Sequence, residues 1–219
     1  MQKWENENMN DNYMSTNRLE AFYDAIIAII VTVLVLELPQ PATASIQSIL
    51  ALKTAYFAYL ISFLVCTNLW QYHHVIYNHV ERINQKIIWQ NILLLLIISL
   101  LPYLTTFVAN NPFSLLAEVL YGLDSIIVNI ILFWMAKSLI DINPDQEYLS
   151  EALVVKNALV VPFIIFIIGL VIAFLGYPFA ISICCLISII RSIIFSFKIR
   201  KQLFNILKCF NHIQVIDFI

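Results

Sequence analysis

Charged side chains are scarce in this sequence. Asp, Glu, Lys and Arg make up 12% of its 219 residues, with a net charge of −2. A soluble domain carries about 25%. Hydrophobic residues reach 61%, and mean hydropathy is +0.86. One soluble core cannot hide that much apolar surface, which excludes a soluble enzyme and a disordered chain. A nucleic-acid partner is excluded too, because such a domain needs a basic stripe. One bilayer crossing takes about 20 apolar residues in a helix, so this length has room for roughly six to eight.

Other absences narrow the reading. Glycine occurs three times, as Gly122, Gly169 and Gly176. Secondary transporters usually show inverted repeats and helices interrupted by Gly or Pro. Residues 19–109 and 113–197 show no repeat, and Pro102 and Pro162 are not a Gly-rich pair, which weakens a transporter reading. Cys66, Cys184, Cys185 and Cys209 lack metal spacing and form no disulfide framework. Met1 to Asn17 has no apolar core and no small-residue cleavage site, so it reads as a solvated tail, not a signal peptide. No nucleophile–base pair, Gly-rich phosphate loop or metal cluster can be assembled. The expectation is a non-enzyme without a cofactor.

What is present is a series of continuous apolar runs. They cover about 19–38, 46–72, 87–109, 113–139, 153–175 and 179–197. Pro39 and Pro41, Pro112 and Pro178 close the first, third and fifth, since proline cannot continue a helix. Barrel strands would alternate apolar and polar residues over about ten positions; these runs do not. The sequence therefore predicts an all-α membrane protein with six transmembrane helices. A polar tail (1–17) precedes a six-helix domain (18–204), and a C-terminal tail (205–219) follows.

Orientation follows from Lys and Arg, which favour the cytoplasmic side. With the N-terminus inside, inner segments hold eleven of the twelve: Lys3, Arg18, Arg82, Lys86, Lys137, Lys156, Arg191, Lys198, Arg200, Lys201 and Lys208. Lys53 alone lies outside. The outer turns, about 39–45, 110–112 and 176–178, carry none. Both termini are expected in the cytoplasm.

Polar residues inside the runs mark candidate sites. Asp24 sits about one turn inside the first run, where a carboxylate needs a partner or water. A purely structural role, capping the first turn or pairing with Arg18, is equally open. Glu37 stands at the outer mouth, as a solvated helix end or an attractor of cations. Trp70, His73 and His74 end the second run. Adjacent histidines do not make the i, i+4 pair that chelates zinc. Asn91 and Asp24 lie at similar depth, so an inner polar network is one reading and snorkelling at the interface is the other. Glu118, Asp124 and Asn129 lie in the fourth run with nothing basic at matching depth.

Arg18-Leu19-Glu20-Ala21-Phe22-Tyr23-Asp24 resembles the Arg-x-x-x-Phe-Ser-Asp motif that opens the first helix in the lysosomal potassium channel family (transmembrane protein 175 type), especially its bacterial members. Ala28-Ile29, Thr32, Leu34 to Glu37, Ser62-Phe63, Trp70, His73-His74, Asn91 and Pro102 extend the likeness to about residue 110. Tyr23 stands where the family has serine, a much larger group at the inner entrance.

The resemblance implies a homotetramer in a bacterial plasma membrane, its central pore lined by the first helix and selective for potassium. It implies no Thr-Val-Gly-Tyr-Gly filter, and the sequence has none. Matching the motif gives Ile29, Thr32, Val33 and Leu36 as pore-lining positions, with potassium passing near Ile29 and Thr32. Their i, i+3/i+4, i+7 spacing shares one face, although a packing or lipid-facing stripe has the same spacing. Arg18, Phe22, Tyr23, Asp24, Trp70, His73, His74 and Asn91 are the implied inner scaffold. The other readings are a small proton-coupled secondary transporter using Asp24 or Asp124, and a membrane scaffold that transports nothing.

Overall fold

The computed structural model describes residues 16–78, 80, 82–144 and 160–194. Apart from Thr16 and Asn17, the two predicted tails lie outside them. All elements of the described residues are helical: α1 (Asn17–Leu36), α2 (Ile46–Ala51), α3 (Lys53–Tyr77), α4 (Gln85–Ile98), α5 (Leu101–Asn110), α6 (Leu115–Ile142), α7 (Val161–Phe174) and α8 (Ala180–Ile194).

Local chemistry sets several of the boundaries. Asn84 and Ser114 cap α4 and α6 by accepting from the backbone N–H groups of Ile87 and Ala117, at 3.1 and 3.4 Å. Pro162 opens α7, where a missing N–H leaves no intrahelical bond unmade. Pro102 has a similar effect in the outer half of the third run. It cannot donate to the carbonyl of Ile98 and its ring crowds that group, so the third run splits at Ser99 and Leu100 into α4 and α5.

The second run also differs from its predicted span of 46–72. It divides at Leu52, which caps the exposed turn α2, and α3 then runs on to Tyr77. The extra turn is polar by sequence but held by tertiary contacts: His73 stacks on Tyr77 and bonds Asn91 of α4.

Three stretches, Asn17–Leu36, Gln85–Asn110 and Leu115–Ile142, are long and apolar enough to cross a membrane. At 25 residues α3 is longer than α1, about 37 Å at 1.5 Å per residue; α7 and α8 are shorter apolar helices. α6 is central and packs against α4, α5 and α7, while α1 lies on α3, α4 and α5. A Cβ on Gly122 would come within 2.9 Å of Ile181, and one on Gly169 within 2.9 Å of the Cys184 sulfur. Two of the three glycines thus let α8 approach α6 and α7 closely, the usual use of small residues between membrane helices.

Candidate pore helix and its inner polar anchor

α1 has two unlike faces. Leu19, Tyr23, Ile27, Ile30 and Leu34 recur every three or four residues and are buried against the bundle. Ile29, Thr32, Val33 and Leu36, the predicted pore positions, lie on the other side and are exposed, Leu36 to 80%. Arg18, Phe22 and Asp24 are exposed as well. Ile29 and Val33 border a groove of about 470 Å³ with Tyr103 and Phe107 of α5. The Thr32 hydroxyl donates to the carbonyl of Ile29 at 2.6 Å. Its proton is committed within the helix, so what it presents outward is lone pairs. Glu37 caps the C-terminal end of α1 with its side chain exposed.

At the inner end, α1 is tied to α3 in two places. The Trp70 indole donates to a carboxylate oxygen of Asp24 at 2.9 Å, across the exposed side of the helix pair. The bond to the Asp24 carboxylate therefore comes from α3; Arg18 is exposed six residues earlier. Tyr23 instead turns inward. It is fully buried and its ring stacks on His73 at 3.7 Å with 6° between planes. The large Tyr23 side chain fills the interior of the subunit.

The stack continues from His73 to Tyr77 at 4.0 Å. Asn91 of α4 is fully buried, and its amide donates to Tyr77 Oη at 2.8 Å and lies 3.1 Å from His73 Nε2. An amide nitrogen only donates, so His73 Nε2 accepts and the imidazole is neutral with its proton on Nδ1. Asn91 thereby joins α4 to two rings of α3. His74 points the other way: it is exposed, stacks on Trp70 at 5.5 Å and bonds Asn78 at 3.0 Å. The two adjacent histidines serve separate faces.

The structure thus brings Tyr23, His73 and Asn91 into one buried group and Asp24, Trp70 and His74 into an exposed one. Arg18, Phe22 and Glu37 join neither. Tyr77 belongs to the buried group and was not anticipated from the sequence. A second polar group was also missed. Ser62 of α3 bonds Thr105 of α5 at 2.7 Å and Tyr121 of α6 at 3.0 Å, and Thr105 donates to the Leu101 carbonyl at 2.6 Å. One consistent proton direction follows, Tyr121 to Ser62 to Thr105 to the carbonyl. The only advance signal was three hydroxyls within apolar runs. The carboxylate that finds hydroxyl and N–H donors in α6 is Glu118, from Ser182 at 2.9–3.1 Å; Asp124 is treated below.

Comparison with known proteins agrees with this architecture. Residues 18–102 match the family model for the endosomal/lysosomal potassium channel TMEM175. That span runs from Arg18 to Pro102 and so contains both groups at the inner end of α1. A potassium channel of Chryseobacterium sp. (strain P1-3) is 31% identical over 166 residues, covering 76% of this chain and 86% of its own. The zebrafish (Danio rerio) endosomal/lysosomal proton channel TMEM175 is 31% identical over 124 residues, 53% of this chain and 24% of its own. In fold, the crystal structure of a lysosomal potassium-selective channel TMEM175 homolog from Chamaesiphon minutus superposes with a TM-score of 0.69 at 23% identity, covering 81% of this chain and 96% of that one.

Long apolar helices closed around a hydrogen-bonded interior define a helical membrane protein. The chain belongs to the TMEM175 family. The family and the relatives named here are channels, not enzymes.

Proposed function

We propose that this chain is one subunit of a potassium-permeable channel. Its conduction path is lined by the exposed face of α1 and completed by copies of the same chain, four of them about one axis. The observation that carries this reading is the imbalance of α1. Only 28% of its membrane-spanning window is buried within the subunit, against 50% for α6. Yet α1 carries the family motif and is anchored at its inner end by buried rings. A helix fixed so firmly on one side and left bare on the other is suited to face a path that one subunit cannot enclose.

On this reading Ile29, Val33 and Leu36 form successive apolar rings about one turn apart. Such rings hold ions back by dewetting and pass them when widened. Thr32 offers oxygen lone pairs to potassium beside Ile29, and Glu37 draws cations to the outer mouth. Tyr23, Asp24, Trp70, His73, His74 and Asn91 hold the helix in register, with Arg18 and Phe22 exposed beside them. The chain crosses the plasma membrane of a bacterium six times with both ends in the cytoplasm, and it needs no cofactor beyond the permeant ion.

Purified protein in liposomes under a potassium gradient tests this. A channel drives the membrane to the potassium Nernst potential without a second ion. Flux obtained only with an obligatory proton gradient would favour the proton-coupled transporter, through Asp24 or Asp124, and overturn the channel.

A further inference from the structure

Away from α1, a partly open cavity of about 100 Å³ lies between α3, the α4–α5 junction, α6, α7 and α8. That is room for about three waters at 30 Å³ each, or for one small ion with part of its hydration shell. Three helices contribute polar residues to its wall, each at one-turn spacing: Asn68 and Tyr72 of α3, Ser125 and Asn129 of α6, and Ser188 and Ser192 of α8. Asp124 joins them and is only 6% exposed.

The wall presents hydroxyl and amide oxygens that can turn lone pairs to a ligand. The Ser125 hydroxyl donates to the Tyr121 carbonyl at 3.3 Å, and the Asn129 amide donates to the Ser125 carbonyl at 2.8 Å. Both residues keep oxygen lone pairs for accepting; those of Ser125 are shared with the Cys185 thiol. Tyr72 Oη and Ser188 Oγ are buried with no hydrogen-bond partner, and Ser188 is 6% exposed. Among the described residues, no basic side chain lines the cavity. Glu118, one helical turn and a half away on α6, shows the contrast: its oxygens are taken up by Ser182.

We propose that this cavity is a binding site for one monovalent cation of the alkali-metal class, separate from the central path and present once in each subunit. Asp124 supplies the single negative charge. Hydroxyl and amide oxygens from the three helices complete a shell suited to a hard cation. One carboxylate balances one positive charge, which argues against a divalent ion. A bound cation also resolves the placement of a carboxylate within a membrane protein interior, where an unpaired charge is strongly disfavoured. The apolar remainder of the wall, including Phe166 and Ile189, keeps the site small and limits its water.

The test is anomalous diffraction from crystals of the full chain grown in rubidium chloride. The site predicts a rubidium peak within each subunit in contact with Asp124, in addition to any peaks on the symmetry axis. Asp124→Asn should abolish the inner peak and leave axial peaks in place. Axial peaks with none in the cavity of the unaltered protein would overturn the proposal, leaving a protonated acid or waters there. An inner peak that persists in Asp124→Asn would overturn it as well. Should Asp124→Asn fail to fold, Ser188→Ala and Tyr72→Phe serve: each removes one oxygen and should weaken occupancy in a rubidium titration by at least about threefold. Unchanged occupancy in both would contradict the site.

Discussion

The two faces of α1 are made of nearly the same residues in different surroundings. Ile27, Ile30 and Leu34 are buried to within 5% of their surface, while Ile29, Val33 and Leu36 are 36% to 80% exposed. Hydrophobicity cannot tell these sets apart. What separates them is the phase of Tyr23, because the stack on His73 fixes the rotation of the whole helix. One buried aromatic contact at the inner end thus sets which side chains along the helix stay exposed. The comparison teaches that the exposed face of such a helix is set by its anchor rather than by its composition.

Substitutions that act on one face and not the other sharpen this. The largest effect is expected for Leu34→Ala, which opens a cavity in the bundle and should reduce stability by about 2–5 kcal/mol. Leu36→Ala, two residues on, should stay within about 0.5 kcal/mol. Unfolding midpoints in matched detergent measure both, and equal losses would erase the distinction between faces.

Asn91→Leu comes next. It leaves Tyr77 Oη and His73 Nε2 buried without their donor, at a cost of about 1–3 kcal/mol. The same variant should loosen the Tyr23 stack, and a change in tyrosine fluorescence anisotropy would report it. Retained stability would show that the rings alone hold α3 and α4 together.

The exposed tie is weaker. Asp24→Ala removes the acceptor for Trp70 and should lower stability by about 1 kcal/mol, whereas Asp24→Asn keeps an oxygen for the indole and should do less. Thermal unfolding monitored by tryptophan emission follows Trp70 among the four indoles; a loss larger than that of Asn91→Leu would move the main anchor to this exposed pair.

The smallest effects on stability, within about 0.5 kcal/mol, belong to Ile29→Ser and Thr32→Val. Their effects on transport should be clear. Ile29→Ser widens and wets an apolar ring, giving larger currents with poorer discrimination between potassium and sodium. Thr32→Val keeps the shape, removes the lone pairs and should reduce selectivity. Reversal potentials under bi-ionic conditions measure both changes.

Much of this molecule is legible in its sequence, and the parts that are not share a cause. The helices over 17–36 and 115–142 follow from long apolar runs that proline and polar caps bound. Pro102 announces a break but not that α4 and α5 remain one stretch long enough to cross a membrane. The extension of α3 through His73 to Tyr77 could not be read, because its support comes from Asn91 on another helix. The phase of α1 was hidden for a related reason: a helix apolar all round has no periodic signal, and only its packing distinguishes Ile29 from Ile30. The resemblance to a channel family supplied the face that periodicity could not. The one-turn spacing of Asn68 and Tyr72, Ser125 and Asn129, and Ser188 and Ser192 carries no signal until the helices are packed. Their convergence on Asp124 depends on how closely Gly122 and Gly169 admit α8.

The central claim is that the exposed face of α1 lines the path of the ion. Cysteine accessibility tests it most directly. Single cysteines at positions 27, 29, 30, 32, 33, 34 and 36 are placed in a background with Cys209 replaced by serine; Cys66, Cys184 and Cys185 are buried. Potassium current is then recorded before and after a small thiol reagent. Block is predicted for Ile29→Cys, Thr32→Cys, Val33→Cys and Leu36→Cys, and none for Ile27→Cys, Ile30→Cys or Leu34→Cys. Block at the second set without block at the first would contradict the account and put the opposite face of α1 in the pore.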